Sequence, residues 1–252
     1  MTAEDRPLSV VIPCYNERAT IREILARVAA VPVVREIVVV DDRSTDGTRD
    51  LLREIRASWP ADRPPLRVIE QPLNRGKGAA LRAGFQHVLG KLTIVQDADL
   101  EYDPGEYPRL IRPILEGDAD VVYGSRFAQF PRRFPHSWHS FGNRVLTTLS
   151  NMATNLNLTD METCYKVFKT EILRSIPLRS DRFGFEPEIT AKIAKLGCRV
   201  REIPISYRGR GYGEGKKIGW KDGLQALWII FKYWLVDDAG PPGRRRGTDP
   251  GA

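Results

Sequence analysis

The sequence predicts an α/β protein, a three-layer α/β/α sandwich around a mostly parallel central sheet. Two observations predict it. From Leu8 to Tyr123, short apolar β-rich runs alternate with stretches of helical spacing, which implies a parallel sheet with helices on both faces. The chain has 252 residues, enough for one large α/β domain with a full hydrophobic core.

Leu8 to Pro13 (LSVVIP) reads as a buried strand. Glu17 to Ala30 follows, with Ile21, Ile24, Leu25 and Val28 at the spacing of an amphipathic helix. Glu36 to Val40 (EIVVV) is a second buried strand ending at Asp41-Asp42, and Thr48 to Ser58 a second helix after the turn at Asp46-Gly47. Leu66 to Glu70 and Leu92 to Gln96 are further strands, with a helix over Lys77 to Gly90 between them. The helix Tyr107 to Glu116 leads to the strand Ala119 to Tyr123. The right-handed crossover rule places all these strand C-termini along one edge.

Beyond residue 124 the alternation stops. Phe127 to His139, rich in Pro, Arg and aromatics, reads as a loop. Ser140 to Leu156 and Phe185 to Leu196 read as helices, the second with Pro187 in its first turn. Val200 to Tyr207 reads as a strand, Gly209 to Gly219 as a glycine-rich basic segment, and Leu224 to Val236 as a markedly apolar helix. Residues 239–252 (AGPPGRRRGTDPGA) have the composition of a disordered tail. One domain is expected over residues 1–238.

Apolar content of 42% and charge of 28% are ordinary globular values, which disfavours disorder and a multi-span membrane protein. The net charge of +7 points to anionic partners such as nucleic acid, acidic membrane or phosphorylated substrates. Cys14, Cys164 and Cys198 are odd in number and lack ligand spacing, which argues for a reducing compartment. Met1 to Pro7 carries Glu4 and Asp5 with no apolar stretch, so no signal peptide is expected. The location expected is cytoplasmic.

In an open α/β sheet, ligands bind at the carboxyl ends of strands. Cys14 to Glu17 follow the first strand, Asp41-Asp42 the second, Asn74 to Gly78 the third and Asp97-Ala98-Asp99 the fourth. Any one cluster fits a helix cap or solvated turn, but four on one rim point to a ligand site. Asp97 and Asp99, two residues apart at a strand end, can reach one point where the backbone leaves the sheet. Their hard oxygens suit Mg²⁺ or Mn²⁺ sharing its shell with substrate phosphates.

PCYNE (Pro13–Glu17), VVVDDRSTDGT (Val38–Thr48), NRGKGAALRAG (Asn74–Gly84), DAD (Asp97–Asp99) and GSR (Gly124–Arg126) occur here in one order and spacing. With these motifs the chain resembles the family 2 glycosyltransferases, and within them the polyprenyl-phosphate hexosyltransferases, the group of dolichol-phosphate-mannose and dolichol-phosphate-glucose synthases. The resemblance covers about Leu8 to Val236 and implies a GT-A-type fold, with a nucleotide-binding part near 8–126 and an acceptor part near 127–238.

By position, the resemblance implies that Pro13, Tyr15, Glu17 and Asp42 line the nucleoside pocket, Glu17 and Asp42 as acceptors from ribose or base. Lys77 would lie near the diphosphate or base and Ala98 among the donor contacts. Asp97 and Asp99 would hold the metal, and Arg126 a donor or acceptor phosphate. Asp160 to Lys166 (DMETCYK) matches the segment that family members place beside the sugar; the mannose synthases carry Ser-Gly where Thr163-Cys164 stand here. Arg208, Arg210, Lys216 and Lys217 resemble the basic segment that grips the acceptor phosphate. Glu186 and Glu188 flank Pro187 at a helix start, where acids suit the helix dipole and could also serve the site.

The resemblance implies inverting transfer of a hexose from a nucleotide-diphospho-sugar, of the UDP-glucose or GDP-mannose class, to a polyprenyl phosphate. Two alternatives stay open. One is a saccharide or protein hydroxyl acceptor in cell-envelope polysaccharide synthesis, with Asp160 as base. The other is a non-catalytic nucleotide-sugar-binding protein.

Other classes are excluded. Gly76-Lys77-Gly78 follows the third strand, and Leu81 stands where the dinucleotide fingerprint needs Gly or Ala. No GxxxxGK[ST] occurs, and no aromatic-basic RNA motif accompanies the charge.

Leu224, Leu227, Trp228, Phe231, Trp234 and Leu235 form one apolar helix face, widened by Ala226, Ile230 and Tyr233. A helix over Leu224 to Val236 is roughly 20 Å long, short of the ~30 Å hydrocarbon core. It either packs on the sheet or lies on a membrane surface. The neighbouring Arg208 to Lys217 and Arg244-Arg245-Arg246 lean toward peripheral contact with the cytoplasmic membrane face.

Overall fold

Val10, Val11 and Ile12 and the run from Ile37 to Val40 are fully buried, as continuous apolar runs must be in a sheet covered on both faces. The computed structural model describes residues 6–128, 138–209 and 220–235. Its strands are β1 (Leu8–Cys14), β2 (Val34–Asp41), β3 (Leu66–Glu70), β4 (Leu92–Val95), β5 (Val121–Ser125), β6 (Lys166–Lys169) and β7 (Val200–Pro204). The helices are α1 (Ile21–Ala29), α2 (Thr48–Ala57), α3 (Lys77–Phe85), α4 (Tyr107–Leu115), α5 (Trp138–Thr154), α6 (Thr170–Ser175), α7 (Phe185–Lys195) and α8 (Trp220–Leu235).

The seven strands form one sheet in the order β3-β2-β1-β4-β6-β5-β7. Neighbours β3, β2, β1 and β4 are parallel, as are β5 and β7, whereas β6 runs antiparallel to both β4 and β5. The mostly parallel sheet is therefore as expected, with a correction: β6 and the short α6 were not predicted. Lys-Val-Phe-Lys shows only two apolar residues between lysines, too short a run to read as a strand. Its apolar residues are nevertheless fully buried. Helix limits also shift. The third helix ends at Phe85, not at Gly90, and the last begins at Trp220, not at Leu224.

The reversal of β6 positions the site. To enter the sheet from the opposite edge, the chain leaves β5, runs through α5 and brings the segment 159–165 across the ends of β4 and β5. Gln96, fully buried just past β4, fixes this crossing by accepting from the Tyr107 hydroxyl (2.6 Å) and the Tyr165 hydroxyl (2.7 Å).

Helices α5, α7 and α8 pack on one another. Glu188, fully buried, fastens that layer: its carboxylate accepts from Lys192 (2.7 Å), the Tyr233 hydroxyl (2.9 Å) and the backbone N–H groups of Arg179 (2.8 Å) and Ser180 (2.6 Å). Helix α8 packs on α5 and α7 with one face turned inward and the other outward. Ala226, Ile229, Ile230 and Tyr233 are buried, whereas Trp228 (64% exposed), Phe231, Trp234 (56%) and Leu235 face outward. The expectations for the acceptor residues Arg210, Lys216 and Lys217, and for the tail, lie outside the described residues.

Candidate active site

The loops after β1 and β2 are built for each other. Asn16 and Arg43 adopt left-handed backbone (φ 55° and 60°). The Asn16 N–H donates to Ser44 Oγ (3.0 Å), and its side chain accepts from Thr45 N–H (2.7 Å). Glu17 N–H donates to Thr48 Oγ1 (3.0 Å), and Glu17 Oε2 accepts from Thr20 Oγ1, which also lies 2.9 Å from the Ala98 carbonyl. PCYNE is thereby joined to the residue between the two DAD carboxylates. Tyr15 is exposed beside it, at 37%.

The two adjacent aspartates differ. Asp41 is fully buried and pairs with Arg49 (2.6 Å). Asp42 accepts the backbone N–H groups of Arg75 (3.0 Å) and Gly76 (2.6 Å) on separate oxygens. Burial pushes its carboxyl above the ordinary value although these bonds oppose it. Asp42 therefore shapes the loop after β3, a task its sequence position did not reveal. A carboxylate offers about four acceptor positions, which leaves capacity for a ligand as well.

That loop meets residues 180–182. A Cβ at Gly78 would collide with the Ser180 carbonyl, and one at Gly76 (φ +93°) would lie 2.9 Å from the Asp181 carbonyl. The Asp181 carbonyl accepts the Ala79 N–H (2.9 Å), and its carboxylate pairs with Arg75 and Arg82. The glycines of NRGKG thus admit another backbone.

Lys77 projects from this turn to the centre of the site. Its ammonium lies 3.0 Å from Asp97 Oδ1 and 3.0 Å from Glu186 Oε1. Burial would lower the pKa of Lys77, but Asp97 and Glu186 hold it well above the usual lysine range. Burial alone would raise that of Asp97, and Lys77 keeps it low instead. Asp99 Oδ1 accepts the Glu101 N–H (3.1 Å). Among the described residues no group of three or more His, Cys, Asp or Glu side chains gathers as a metal cage. The donor set at this rim is two carboxylates, which fits Mg²⁺ or Mn²⁺, ions that take one or two carboxylates and complete their shell with water and substrate phosphate.

A second ion pair stands at the end of β5. Arg126 Nε and Nη2 donate to the two oxygens of Asp160 (2.6 and 2.8 Å), and the Arg126 N–H adds a third bond (3.1 Å). Asn143 Nδ2 also donates to Asp160 (3.0 Å). Burial works against the charge on Asp160, yet Arg126 holds its carboxyl below the ordinary value, leaving it weakly basic. The guanidinium lies 5.2 Å from the Tyr207 ring centroid. Tyr207 bridges to Tyr102, and Arg208 N–H donates to the Glu101 carbonyl (2.9 Å). The start of the basic segment thus lies against the chain that has just left Asp99. A cleft of about 670 Å³ lined by Arg35, Arg67 and His87 holds none of these residues.

Beside the rim stand Glu162, Thr163 and Lys166, from the DMETCYK segment, and Glu186, from the helix start at Pro187 that the sequence also offers to the site. Thr163 and Lys166 are fully buried and Glu186 is 3% exposed. Lys166 Nζ donates to the Thr163 carbonyl and sits 5.0 Å from the Tyr123 ring centroid. Burial, with Glu186 nearby, pushes Glu162 up to about 8 from an ordinary 4.5. Glu162 therefore holds its proton more tightly folded than unfolded. Its contribution to stability is complete below about pH 4.5 and is lost as pH rises through about 8. Glu162→Gln should accordingly gain stability over wild type between these limits; urea titrations at several pH values would read a difference that widens with pH. A difference constant across the range would contradict the assignment.

The family model described as Glycosyl transferase family 2 matches residues 9–176. The chain is 34% identical over 236 residues to the undecaprenyl-phosphate 4-deoxy-4-formamido-L-arabinose transferase of Edwardsiella ictaluri, covering 91% of this chain and 66% of that protein. It is 32% identical over 218 residues to the undecaprenyl-phosphate mannosyltransferase of Micrococcus luteus, covering 83% of this chain and 86% of that one. The chain thus spans slightly under two thirds of the first relative and most of the second. Among solved structures, Mycobacterium tuberculosis glucosyl-3-phosphoglycerate synthase, crystallised with Mn²⁺, UDP and phosphoglyceric acid, superposes with a TM-score of 0.70 at 21% identity, covering 94% of this chain and 82% of that one. The fold is that of the GT-A glycosyltransferases. With the family model over residues 9–176 and relatives that match across most of its length, the chain belongs to glycosyl transferase family 2.

Proposed function

We propose that the protein transfers a hexose from a nucleotide-diphospho-sugar to a polyprenyl phosphate by a single inverting displacement. The observation that supports this most is the meeting of two halves of chain at one rim. Asp97 and Asp99 follow β4, and Arg126, Tyr207 and Arg208 approach them through the Tyr102–Tyr207 bridge and the Arg208–Glu101 bond. Two of its relatives are named for sugar transfer involving undecaprenyl phosphate, which favours a lipid phosphate acceptor over a saccharide hydroxyl.

Pro13, Tyr15, Glu17, Asp42 and Ala98 would form the nucleoside side of the donor site. Lys77 orients Asp97 from within it. Asp97 and Asp99 would hold Mg²⁺ or Mn²⁺, which when bound neutralises charge on the departing diphosphate. Arg126 and Arg208 would hold the acceptor phosphate, Arg126 kept in place by Asp160. A phosphate monoester has its second pKa near ~6 and is largely deprotonated at neutral pH, so the acceptor needs no strong base. The ion-paired Asp160 suits a positioning role in such a reaction.

No helix among the described residues is long and apolar enough to cross a membrane. Trp228, Phe231, Trp234 and Leu235 on α8, with Val145, Leu149 and Met152 on α5, are large exposed apolar residues. Met152 and Trp234 line one cleft. Such a face suits peripheral contact with the cytoplasmic surface, where a polyprenyl phosphate can be lifted into the site.

Two measurements test this reading. Purified protein incubated with UDP-glucose or GDP-mannose, Mg²⁺ or Mn²⁺ and polyprenyl phosphate should yield a glycolipid identifiable by mass. EDTA should abolish the product, and Asp99→Asn should cut turnover at least ~100-fold, about 2.7 kcal/mol of barrier, without lowering the melting temperature. Full activity in chelator, with metal content confirmed as nil, would sink the metal role. In liposome flotation, binding should rise with anionic lipid, fall with salt and weaken in a folded Trp228→Ala/Trp234→Ala protein. Negligible binding to neutral and anionic vesicles alike would contradict surface contact.

A further inference from the structure

We infer that the outer edge of β3, with the basic cleft beside it, takes an acidic, extended peptide segment of a partner protein as an added strand. The surface stands apart from the transferase site. The cleft, of about 670 Å³, is lined by Arg35 and Glu36 near the start of β2 and by Leu66 at the start of β3. It therefore opens toward the end of the sheet opposite the rim that carries Asp97 and Asp99.

The backbone of β3 is open on one side. β3 lies at one edge of the sheet and, among the described residues, pairs with β2 alone. The Ile37 N–H donates to the Pro65 carbonyl (2.9 Å) and the Gln71 N–H to the Asp41 carbonyl (2.9 Å). Bonding groups alternate along a parallel ladder, so Arg67 and Ile69 also turn their backbone groups to β2. Leu66, Val68 and Glu70 turn theirs outward. Among the described residues nothing hydrogen-bonds to those outward groups. Such an edge is a template for pairing with another chain, and strand addition is one of the recurring modes of peptide recognition.

The cleft runs round this edge. Arg56 reaches it from the end of α2, and His87 and Leu89 from the chain after α3. The step from β2 to β3 and the step from β3 to β4 run in opposite directions across the sheet, so right-handed crossovers put α2 and α3 on opposite faces. A strand added to β3 would thus have side chains of this protein on both of its faces. Leu89, 63% exposed, offers it an apolar contact.

Charge decides the occupant. Arg56 and Arg67 make no salt bridge among the described residues, and Arg67 Nη1 stands 3.4 Å from His87 Nδ1. The acids nearby are engaged: Glu36 accepts from Ser9 Oγ (2.7 Å) and the Leu89 N–H, and Glu70 pairs with Arg53 (2.6 Å). An incoming strand therefore meets cations, which favours acidic side chains. A second copy of this chain would bring the same arginines toward one another, and like charges across a strand pair are destabilising.

The test is fluorescence anisotropy on the full chain with a labelled, end-capped peptide of alternating glutamate and valine. The peptide should bind at least ~10-fold more tightly than its lysine–valine counterpart, and than the same peptide N-methylated along the edge that meets β3. Val68→Pro removes an outward N–H and no bond to β2, a change that edge strands admit, and should weaken the peptide by ~10-fold. The double variant Arg56→Glu/Arg67→Glu should weaken it as much without altering the backbone, and it carries the test if Val68→Pro fails to fold, which melting temperatures show. The proposal is overturned if the peptide fails to bind up to millimolar concentration, or if the lysine–valine or N-methylated peptide binds as well. Displacement of the peptide by an equal concentration of inorganic pyrophosphate would mark a small-anion site and overturn it too. So would sedimentation of the wild type as a dimer that Val68→Pro dissociates, because the edge would then belong to a second copy.

Discussion

An ammonium group enclosed between two carboxylates is a demanding arrangement, and the site is organised around one. Lys77 begins α3, Asp97 follows β4 and Glu186 lies in the first turn of α7, so a single side chain ties three elements together. Removing the ammonium would leave two carboxylates facing the same point with no cation between them, which is destabilising because like charges and burial then act together. The surroundings follow from the need to bring Lys77 there. Gly76 and Gly78 let residues 180–182 close against α3, and Asp42 holds the Arg75 and Gly76 N–H groups so that the turn points inward. Gln96, clasped by two tyrosines, fixes the strand end that delivers Asp97.

The second pair, Arg126 with Asp160, does the equivalent for the other half of the rim. Its bidentate geometry and third backbone bond lock the segment after α5 to the end of β5, and Glu202 secures the same turn by accepting from the N–H groups of Thr159 and Asp160. Between the two ion pairs lie the residues whose polar atoms remain unmatched.

Much of this was legible in the sequence. The first five strands and the helices between them followed from apolar runs and spacing, because parallel strands buried on both faces leave a strong pattern. The strand-end motifs were also visible, since ligand sites in such sheets gather at one edge. What escaped depended on tertiary contacts. β6 is four residues long and framed by lysines, and only the fold shows that Lys166 is buried. Asp42 and Asp160 carry charges that sequence position alone could assign to a ligand; the structure gives much of their capacity to backbone and to Arg126. Glu186 and Glu188 look alike beside Pro187, yet one faces the site and the other fastens α7 to α8.

If the Lys77 bridge organises the site, its charges must be coupled in solution. The most direct measurement is a double-mutant cycle of Lys77→Met and Glu186→Gln by urea unfolding. The account predicts that Glu186→Gln recovers part of the stability lost in Lys77→Met, with a coupling of about 1–3 kcal/mol. Additivity within about 0.3–0.5 kcal/mol, the range for independent positions, would contradict it.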